Sequence, residues 1–414
     1  MSTFTDTSFL CSYFSYDQQR DIDSILSGAG WKRLVFDDDL IRTYKNFFYP
    51  EFVDYSLGNP DDKGSVSVYS KVVEAVVDIY GFSVLLKNLR IHVMPYGMMI
   101  FAIHVEMESD SLDDFTLALF NMRERRKWDA PELQAFHEKG LLPVEEAALL
   151  SGSENGEVIE MGNKLKVFQI VNTEERKNYA ENMDFTLFEL GTLGKIGGCS
   201  ANDPNSPSKS YIDHVIKDNR LSFFNNWTGL ALFDSFTIMA YKATPWMIDT
   251  WISDYFSMIY IHNLFMKFYL FRLNYRFRTH PEDGKRLEDE YKQFERKYTF
   301  NKISYNFLPG EINKAMDRGL EISEEKQLLV SYISGYNKEK DEEDSRRLDR
   351  ILTFLAVVTV FSTIWDFSSM LNAMWPFENF SLSVAAGFRM VVMLTLLAVI
   401  LVIIAIIKKP QKFK

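Results

Sequence analysis

The sequence predicts an α/β soluble domain with a mixed or antiparallel sheet, a long stalk helix and two C-terminal transmembrane helices. Three observations predict this fold class. Short apolar segments with turn-forming residues between them fill residues 1–245, as in a domain of strands and helices. Longer helical patterns follow from residue 246 onward. Near the C-terminal end, Ile351–Trp365 and Met390–Ile407 carry no charge, and the first run resumes past Asp366 to Leu371. A run of about 20 such residues can cross a bilayer.

Changes of composition divide the chain into seven predicted segments. They are 1–245 (cytoplasmic α/β domain), 246–337 (helical region packing on it), 338–350 (stalk continuing into the membrane), 351–371 (first transmembrane helix), 372–383 (outer loop), 384–407 (second transmembrane helix) and 408–414 (basic cytoplasmic tail). The stalk prediction depends on acids that precede bases by four residues, as Glu342 precedes Arg346, because such pairs support a solvated helix.

Within these segments the individual elements follow from residue patterns and turn signals. In chain order we predict a helix at Tyr16–Ser27, a first strand at Trp31–Phe36, weak helix at Val72–Val77, a β-hairpin of Phe82–Met94 and Met98–Met107, helices at Leu112–Trp128 and Ala130–Leu150, strands at Lys164–Val171 and Asp184–Leu190, a loop at Gly191–Ser210, two strands within Leu221–Lys242, and helices at Trp246–Arg278, at Lys285–Tyr298 and from Glu311 onward, after a break at Pro309-Gly310.

Composition and charge exclude several classes of protein. The net charge of −11 argues against direct binding of nucleic acid by the domain as a whole. Two cysteines indicate no disulfide framework and suit a reducing cytoplasm. The first residues lack the basic and apolar regions of a signal peptide. No Ser/His/Asp or Cys/His grouping has a recognisable context, so we expect a protein that is not an enzyme.

The distribution of Lys and Arg predicts the membrane orientation. Arg346, Arg347 and Arg350 precede the first span, and four lysines from Lys408 to Lys414 follow the second. The connection from Ser368 to Phe388 contains neither residue type. By the positive-inside rule, both termini are cytoplasmic, and the chain is a multi-pass protein of the cytoplasmic membrane.

One face of the first span is polar toward its outer end. The face comprises Leu348, Leu352, Leu355, Thr359, Ser362, Thr363, Asp366 and Met370, whose spacing places them on one side of a helix. A carboxylate deep in a bilayer costs roughly 2.5–3.5 kcal/mol on insertion scales, so a lipid-facing stripe has no use for one. The face therefore predicts a pore-lining surface with an apolar constriction, formed by several subunits. The alternative is that Asp366 marks the outer membrane boundary and that the hydroxyls bond their own helix backbone.

Three short stretches and the order of the segments carry a resemblance to a known family. The stretches are Arg347-Leu348-Asp349-Arg350-Ile351-Leu352-Thr353, then Leu355, Thr359 and Thr363, and the tail Lys408-Lys409-Pro410-Gln411-Lys412. Together with the order of the segments, they resemble the CorA-type divalent-cation channel family. The architectural match covers most of the chain, and similarity of residues is confined to about its last quarter. The resemblance implies a homopentamer in the lipid bilayer with the first span lining the pore. It also implies Mg²⁺ as a candidate ion.

The outer end of the first span departs from that family. Its Gly-Met-Asn signature is replaced here by Phe367-Ser368-Ser369-Met370-Leu371-Asn372. This loss resembles a divergent branch, the CorA-like membrane effectors associated with type III CRISPR systems, and implies a channel of antiviral defence gated by a nucleotide second messenger such as the adenosylmethionine–AMP conjugate. Two alternatives remain open: a constitutive Mg²⁺ or divalent-cation transporter, and a membrane-anchored scaffold.

Two groups of residues are candidates for contacting a small nucleotide ligand. Arg272 and Arg276 lie among tyrosines, and arginine and aromatic rings suit a phosphate and a purine; the alternative is a solvated helix end. Asn225, Asn226 and Trp227 form the second group. The glycine-rich Gly191–Gly198 lacks the end of a phosphate loop. His92 and His104 on the hairpin suggest a metal site. The alternative is that both are ordinary core or surface histidines, so no metal ligand is assigned.

Overall fold

The computed structural model describes residues 3–58, 64–153, 164–180, 183–199 and 204–374, and isolated positions between 387 and 398. The chain forms two compact units, Met1–Tyr332 and Ile333–Lys414. The predicted outer loop beyond residue 374, the basic tail and, apart from those isolated positions, the second transmembrane helix lie outside the described residues.

The first unit is built on a mixed nine-stranded sheet, as the sequence predicts in outline. Its strands are β1 (Phe4–Ser15), β2 (Lys32–Leu34), β3 (Ser67–Ile79), β4 (Phe82–Met94), β5 (Met98–Ser109), β6 (Lys166–Thr173), β7 (Arg220–Phe224), β8 (Trp227–Ala231) and β9 (Ser235–Tyr241). Their order across the sheet is β2-β3-β4-β5-β1-β6-β9-β8-β7. The β6–β9 pair is parallel and its neighbours pair antiparallel.

Helices occupy most of the remaining described chain. They are α1 (Ile22–Gly28), α2 (Asp38–Lys45), α3 (Pro50–Ser56), α4 (Leu112–Arg123), α5 (Gln134–Phe136), α6 (Leu142–Leu150), α7 (Arg176–Ala180), α8 (Met183–Thr192), α9 (Lys209–Asn219), α10 (Pro245–Thr250), α11 (Ile261–Thr279), α12 (Gly284–Tyr298), α13 (Phe307–Gly319) and α14 (Ile322–Met374), with 3₁₀ turns at Arg125–Lys127, Pro131–Leu133 and Pro281–Asp283 and π-helical stretches at His137–Leu141 and Trp251–Tyr260.

The centre of the sheet is buried on both faces. On one face Phe9 of β1 stacks on Phe256, with ring centroids 3.8 Å apart, and Tyr13 stacks on Phe268 at 4.4 Å. On the other face Leu10 and Phe14 belong to an apolar core that includes side chains of α4, α6 and α8. Because both faces are covered, the central strands are nearly continuous apolar runs rather than alternating ones.

The predicted hairpin is confirmed as β4 and β5. Met94 pairs with Met98, and the turn between them places Tyr96 and Gly97 at φ values of 60° and 70°. A Cβ atom on Gly97 would lie 3.1 Å from the carbonyl oxygen of Tyr16 and 2.9 Å from the amide nitrogen of Gln18. The turn therefore needs glycine for its left-handed backbone and for its close contacts.

Three of the predictions in the sheet are wrong. Residues Val72–Val77 belong to β3 and are not helical, because a bulge between Val72 and Ala75 shifts the phase of the side chains and removes the alternation. Residues Asp184–Leu190 lie in helix α8, where Leu187, Leu190 and Gly191 follow a helical spacing and are buried together. The strand predicted at Trp31–Phe36 is the second strand and not the first, because β1 precedes it. It is also shorter than predicted, since β2 covers only Lys32–Leu34.

The helical region from residue 245 to residue 319 largely confirms the predictions. Trp246–Arg278 is one helical run, α10 to α11, which packs against the sheet, and Lys285–Tyr298 is α12. Helix α13 begins at Phe307, so Pro309 does not break it. Proline is tolerated there because the first turn of a helix has backbone N–H groups without intrahelical partners.

The structure contains the long C-terminal helix that the predicted fold class requires. Helix α14 has 53 residues and continues without interruption through Gly335 and the predicted stalk to Met374, three residues past the predicted end of the first span. Of the described helices, one is long and apolar enough to cross a membrane, the part of α14 that ends at Phe367. The sheet and the C-terminal helix together fit an α/β domain followed by a long apolar helix.

Candidate functional site

The structure places the predicted pore-lining residues on one face of a regular helix. At 100° per residue, all eight lie within an arc of about 100° around the α14 axis. Leu348, Leu352, Leu355 and Met370 are exposed, and so are the hydroxyl residues and Asp366 between them. Along the helix the apolar side chains come first, the hydroxyls next and the carboxylate near the far end.

Two hydroxyls of this face bond their own helix. The Oγ1 atom of Thr359 donates to the carbonyl oxygen of Leu355 at 2.9 Å, and the Oγ1 atom of Thr363 donates to that of Thr359 at 2.8 Å. This is the arrangement expected if the hydroxyls only satisfy the backbone. It also leaves the oxygen lone pairs of both threonines free to accept from water or to face a cation, because a hydroxyl donates once and accepts twice.

Between residues 351 and 367 the remaining surface of this helix is mostly apolar. Phe354, Phe361 and Trp365 lie off the polar face and are exposed, while Ile364 is the buried residue among those described from 351 to 367. Asp366 is the single charged residue between positions 351 and 374. An apolar helix exposed in this way needs lipid or other helices around it, since soluble proteins rarely leave large contiguous apolar surfaces in water.

The second group of predicted ligand residues, Asn225, Asn226 and Trp227, lies at the turn between β7 and β8. Trp227 is 2% exposed and packs on Phe224 and Trp251, with ring centroids 5.8 and 5.7 Å away. The carbonyl oxygen of Asn226 accepts a hydrogen bond from the backbone N–H of Tyr241 at 2.7 Å, and Asn225 is exposed. The indole is part of the core and offers no open face for a base.

The predicted arginines lie at the other end of the same helical run. Arg272 donates to the carbonyl oxygen of Tyr96 at 2.6 Å, and Arg276 pairs with the carboxylate of Glu290 at 2.8 Å. Trp251, which packs on Trp227, and Arg272 are about six helical turns apart, or about 30 Å. The structure therefore does not bring the two predicted groups together, and each arginine is already bonded within the protein.

The glycine-rich loop after α8 is organised around an internal carboxylate. Glu189 accepts hydrogen bonds from the backbone N–H groups of Gly197 at 2.8 Å and Cys199 at 2.7 Å. Asp113 accepts from the backbone N–H of Ile196 at 2.7 Å. N–H groups that would otherwise suit a phosphate are thus already satisfied by acidic side chains.

The two hairpin histidines face the same side of the sheet without meeting. His92 pairs with Ile100 and His104 with Asn88, four register positions apart, which is about 13 Å along the strands. Burial, and after it the positive charge of Arg90, lowers the pKa of each histidine to about 3. Within the described parts of the chain, no group of three or more His, Cys, Asp or Glu side chains is placed to hold a metal ion.

A cavity of about 380 Å³ in the first unit was not predicted from the sequence. It lies between α8, α9, the turn from β8 to β9, and the end of α13. Its lining includes Arg123, Phe188, Thr192, Tyr211, Asn219, Phe233, Asp234, Arg318 and Glu321. We call this space the arginine cavity.

Arg123 at the end of α4 is the unusual residue of the arginine cavity. Its side chain is 5% exposed, and neither its Nε nor its Nη1 atom has a hydrogen-bond partner among the described residues. Burial lowers the pKa of its guanidinium, and the charges of Asp234 and Glu124 offset part of this effect. A signal existed in the sequence, because Arg123 follows Leu119 by four residues and so continues the apolar stripe of α4.

Comparisons of the chain with profiles of known protein families, with curated proteins and with solved structures gave no match.

Proposed function

We propose that this protein is an oligomeric, cation-conducting membrane channel with a CorA-like organisation, whose pore is lined by the polar face of α14. The observation that carries the proposal is the exposed apolar helix that continues unbroken from the stalk and bears one carboxylate on a face of hydroxyls. Homopentamers in the cytoplasmic membrane, as in the family that the sequence resembles, would bring these faces together around one axis.

Each part of the face then has a physical role. A ring of Asp366 carboxylates would concentrate cations at one mouth, since clefts of one charge sign attract counter-ions. The oxygen atoms of Thr359 and Thr363 would contact a partly hydrated ion. Rings of Leu348, Leu352 and Leu355 would form an apolar constriction that gates by dewetting.

The proposed control of opening is a small nucleotide bound to the soluble domain, as in the CRISPR-associated effectors that the sequence resembles. A ligand shifts the pore equilibrium only by its difference in affinity for the closed and open states. Two states in a ratio of 1:99 would need about a 10⁴-fold difference to be inverted. This requirement favours a site close to the start of α14.

The test is ion flux in liposomes that contain the purified full-length protein. We expect uptake of K⁺ or Mg²⁺ that depends on a nucleotide, with the adenosylmethionine–AMP conjugate and cyclic oligoadenylates as the first compounds. Asp366→Asn should reduce the preference for cations over anions. The matched control is Asp344→Asn, an exposed carboxylate of the same helix outside the uncharged run, which should leave selectivity unchanged. Absence of flux under every condition would rule out the channel.

A membrane anchor is the second candidate, and the hydrogen bonds of Thr359 and Thr363 to their own helix favour it. In an anchor these hydroxyls have no further task. Replacing both threonines with valine, which has the same shape, would then leave all functions intact. In a channel the same double change should lower cation flux strongly, because the ion loses oxygen atoms along its path.

A further inference from the structure

We propose that the arginine cavity binds a small anionic ligand with a flat aromatic ring, in the chemical class of nucleoside monophosphates. This inference deepens the proposed function, and its regulatory part rests on that function. The binding itself can be measured without any ion flux, so the two can fail separately.

The first argument is the missing counter-ion of Arg123. A buried charge is stable only when it is paired and hydrogen-bonded. The two carboxylates nearest in effect are already engaged: Asp234 pairs with Lys166 at 2.7 Å, and Glu124 pairs with Lys164 at 3.2 Å. Two guanidinium nitrogens of Arg123 thus have no hydrogen-bond partner among the described residues, and they lie beside an open cavity. An anion in that cavity would complete the site.

A second cation borders the same space. Arg318, near the end of α13, lines the cavity and is exposed, and it forms no ion pair with any of the described residues. A guanidinium presents donors in a planar fork that matches phosphate oxygens, often through two parallel hydrogen bonds. Two arginines on one cavity therefore supply donors suited to a phosphate monoester.

The aromatic side chains that line the cavity are the reason to expect a flat aromatic ring in the ligand. Tyr211 is 55% exposed and Phe233 is 39% exposed, so both have accessible ring surface. The Nζ atoms of Lys166 and Lys267 lie 3.7 and 4.8 Å from the ring centroid of Phe233 and hold this ring in place, so its exposed part and the ring of Tyr211 are the surfaces available for stacking. Bases stack on aromatic side chains of this kind. The amide of Asn219 can donate to a ring nitrogen, and the hydroxyl oxygen of Thr192, whose proton is donated to the carbonyl oxygen of Phe188 at 2.9 Å, can accept from a ribose hydroxyl.

The volume and the balance of surfaces suit such a ligand. Ligand pockets generally enclose about 300–1,000 Å³, with apolar walls and a few polar groups that fix orientation. A cavity of 380 Å³ with three aromatic walls, two arginines and an amide lies at the small end of that range. A larger apolar-lined groove near Tyr44 and Trp246 has no comparable charge.

The location also connects the ligand to α14. Arg318 and Gly319 end α13, and Glu321 is the second of the two residues between α13 and α14. Glu321 has a φ of 56°, a left-handed conformation that is unfavourable for a residue other than glycine. A ligand held by Arg318 therefore acts at a strained junction, at the first residue before the helix that we propose to line the pore.

Binding can be tested by calorimetry on the purified full-length protein in detergent. The probes are AMP, adenosine and inorganic phosphate. We expect AMP to bind at least ten times more tightly than either part alone. Arg123→Met and Arg318→Met should each weaken AMP binding about 10- to 100-fold, the effect of losing a charge-assisted hydrogen bond. Arg296→Met, an exposed arginine of α12, is the matched control and should leave binding unchanged.

Each outcome decides the question. If AMP does not bind at millimolar concentration, or if both cavity variants bind it as the wild type does, the site assignment is wrong. If phosphate binds as tightly as AMP, the aromatic walls contribute nothing and the proposed ligand class is wrong. Because Arg318 is exposed, its variant should fold even if that of Arg123 does not. If AMP binds but never alters flux, the site stands and its regulatory role falls.

Discussion

The start of α14 is fixed to the rest of the first unit by one buried ion pair, and breaking it should be costly. The Nζ atom of Lys267 lies 3.0 Å from Oε1 of Glu325, and the Lys267 side chain is 1% exposed. The other oxygen, Oε2, accepts from the amide of Asn274 at 2.7 Å. We expect Glu325→Ala to destabilise the protein more than the loss of any surface charge.

The magnitude follows from what remains buried. Removing one member of a buried pair costs about 3–5 kcal/mol, mainly because the other charge is left without compensation. The ring of Phe233, 4.8 Å from the Lys267 nitrogen, offsets about 0.5–1 kcal/mol of this. A loss of roughly 3–4 kcal/mol is therefore expected. At a urea slope of about 3 kcal/mol/M, it lowers the unfolding midpoint by about 1 M.

The assay is equilibrium urea unfolding of the full-length protein in detergent, followed by tryptophan fluorescence. The surface pair Lys314–Glu311 provides the control, since Lys314→Ala should change the free energy of unfolding by at most about 1 kcal/mol. The double variant Lys267→Met/Glu325→Leu should recover most of the loss, because two apolar side chains can replace a buried pair. A Glu325→Ala variant as stable as Lys314→Ala would refute the reasoning.

Three further predictions concern buried titrating groups and the helix face. Burial raises the pKa of Asp6 from 3.8 to about 7, so the protonated carboxyl of the folded state contributes stability at low pH that is lost as the pH rises from about 4 to 7. In urea unfolding, Asp6→Asn should flatten the dependence of stability on pH in this range and should raise the free energy of unfolding above pH 7. Burial lowers the pKa of His262 from 6.5 to about 3, so its stability is present above pH 6.5 and is lost on acidification; His262→Phe should reduce the loss between pH 6.5 and 4 by up to about 1.4 kcal/mol per pH unit, and an unchanged slope would contradict the assignment. If the face of α14 that contains Leu355 lines an oligomeric pore, Leu355→Cys should form intersubunit disulfides in membranes under mild oxidation, whereas Val357→Cys, about 160° around the helix, should not. Equal cross-linking of the two variants would contradict the assignment of this face to the pore.

The elements that could be predicted are those whose local pattern and final environment agree. The β4–β5 hairpin has a Pro-Tyr-Gly turn between strands, and the structure uses those turn residues. Helix α14 has acids four residues before bases and no proline, so its local sequence is sufficient to predict a helix. Trp246–Arg278 was recognisable as a packed helix because polar side chains interrupt its apolar character.

The errors arise where a local pattern is altered by packing. The bulge in β3 removes the alternation at Val72–Val77, and no sequence rule announces where a bulge will form. The candidate ligand residues illustrate the same limit. Arg272 and Arg276 have suitable chemistry, yet their partners Tyr96 and Glu290 come from other elements. Arg123 lies in a predicted helix, and only the fold shows that it is buried beside a cavity.

The earliest strand of the described chain lies in the middle of the sheet. Phe4 of β1 pairs with Ser109 on one side and with Thr173 on the other, so each contact closes a loop of many residues. Such long-range pairings slow folding, because the entropy of loop closure is lost before the contacts form. Until β6 has been made, β1 has at most one neighbour and presents a free edge, which invites pairing with other chains. Rapid docking of the β4–β5 hairpin against β1 would therefore reduce how much of this chain pairs wrongly with other chains.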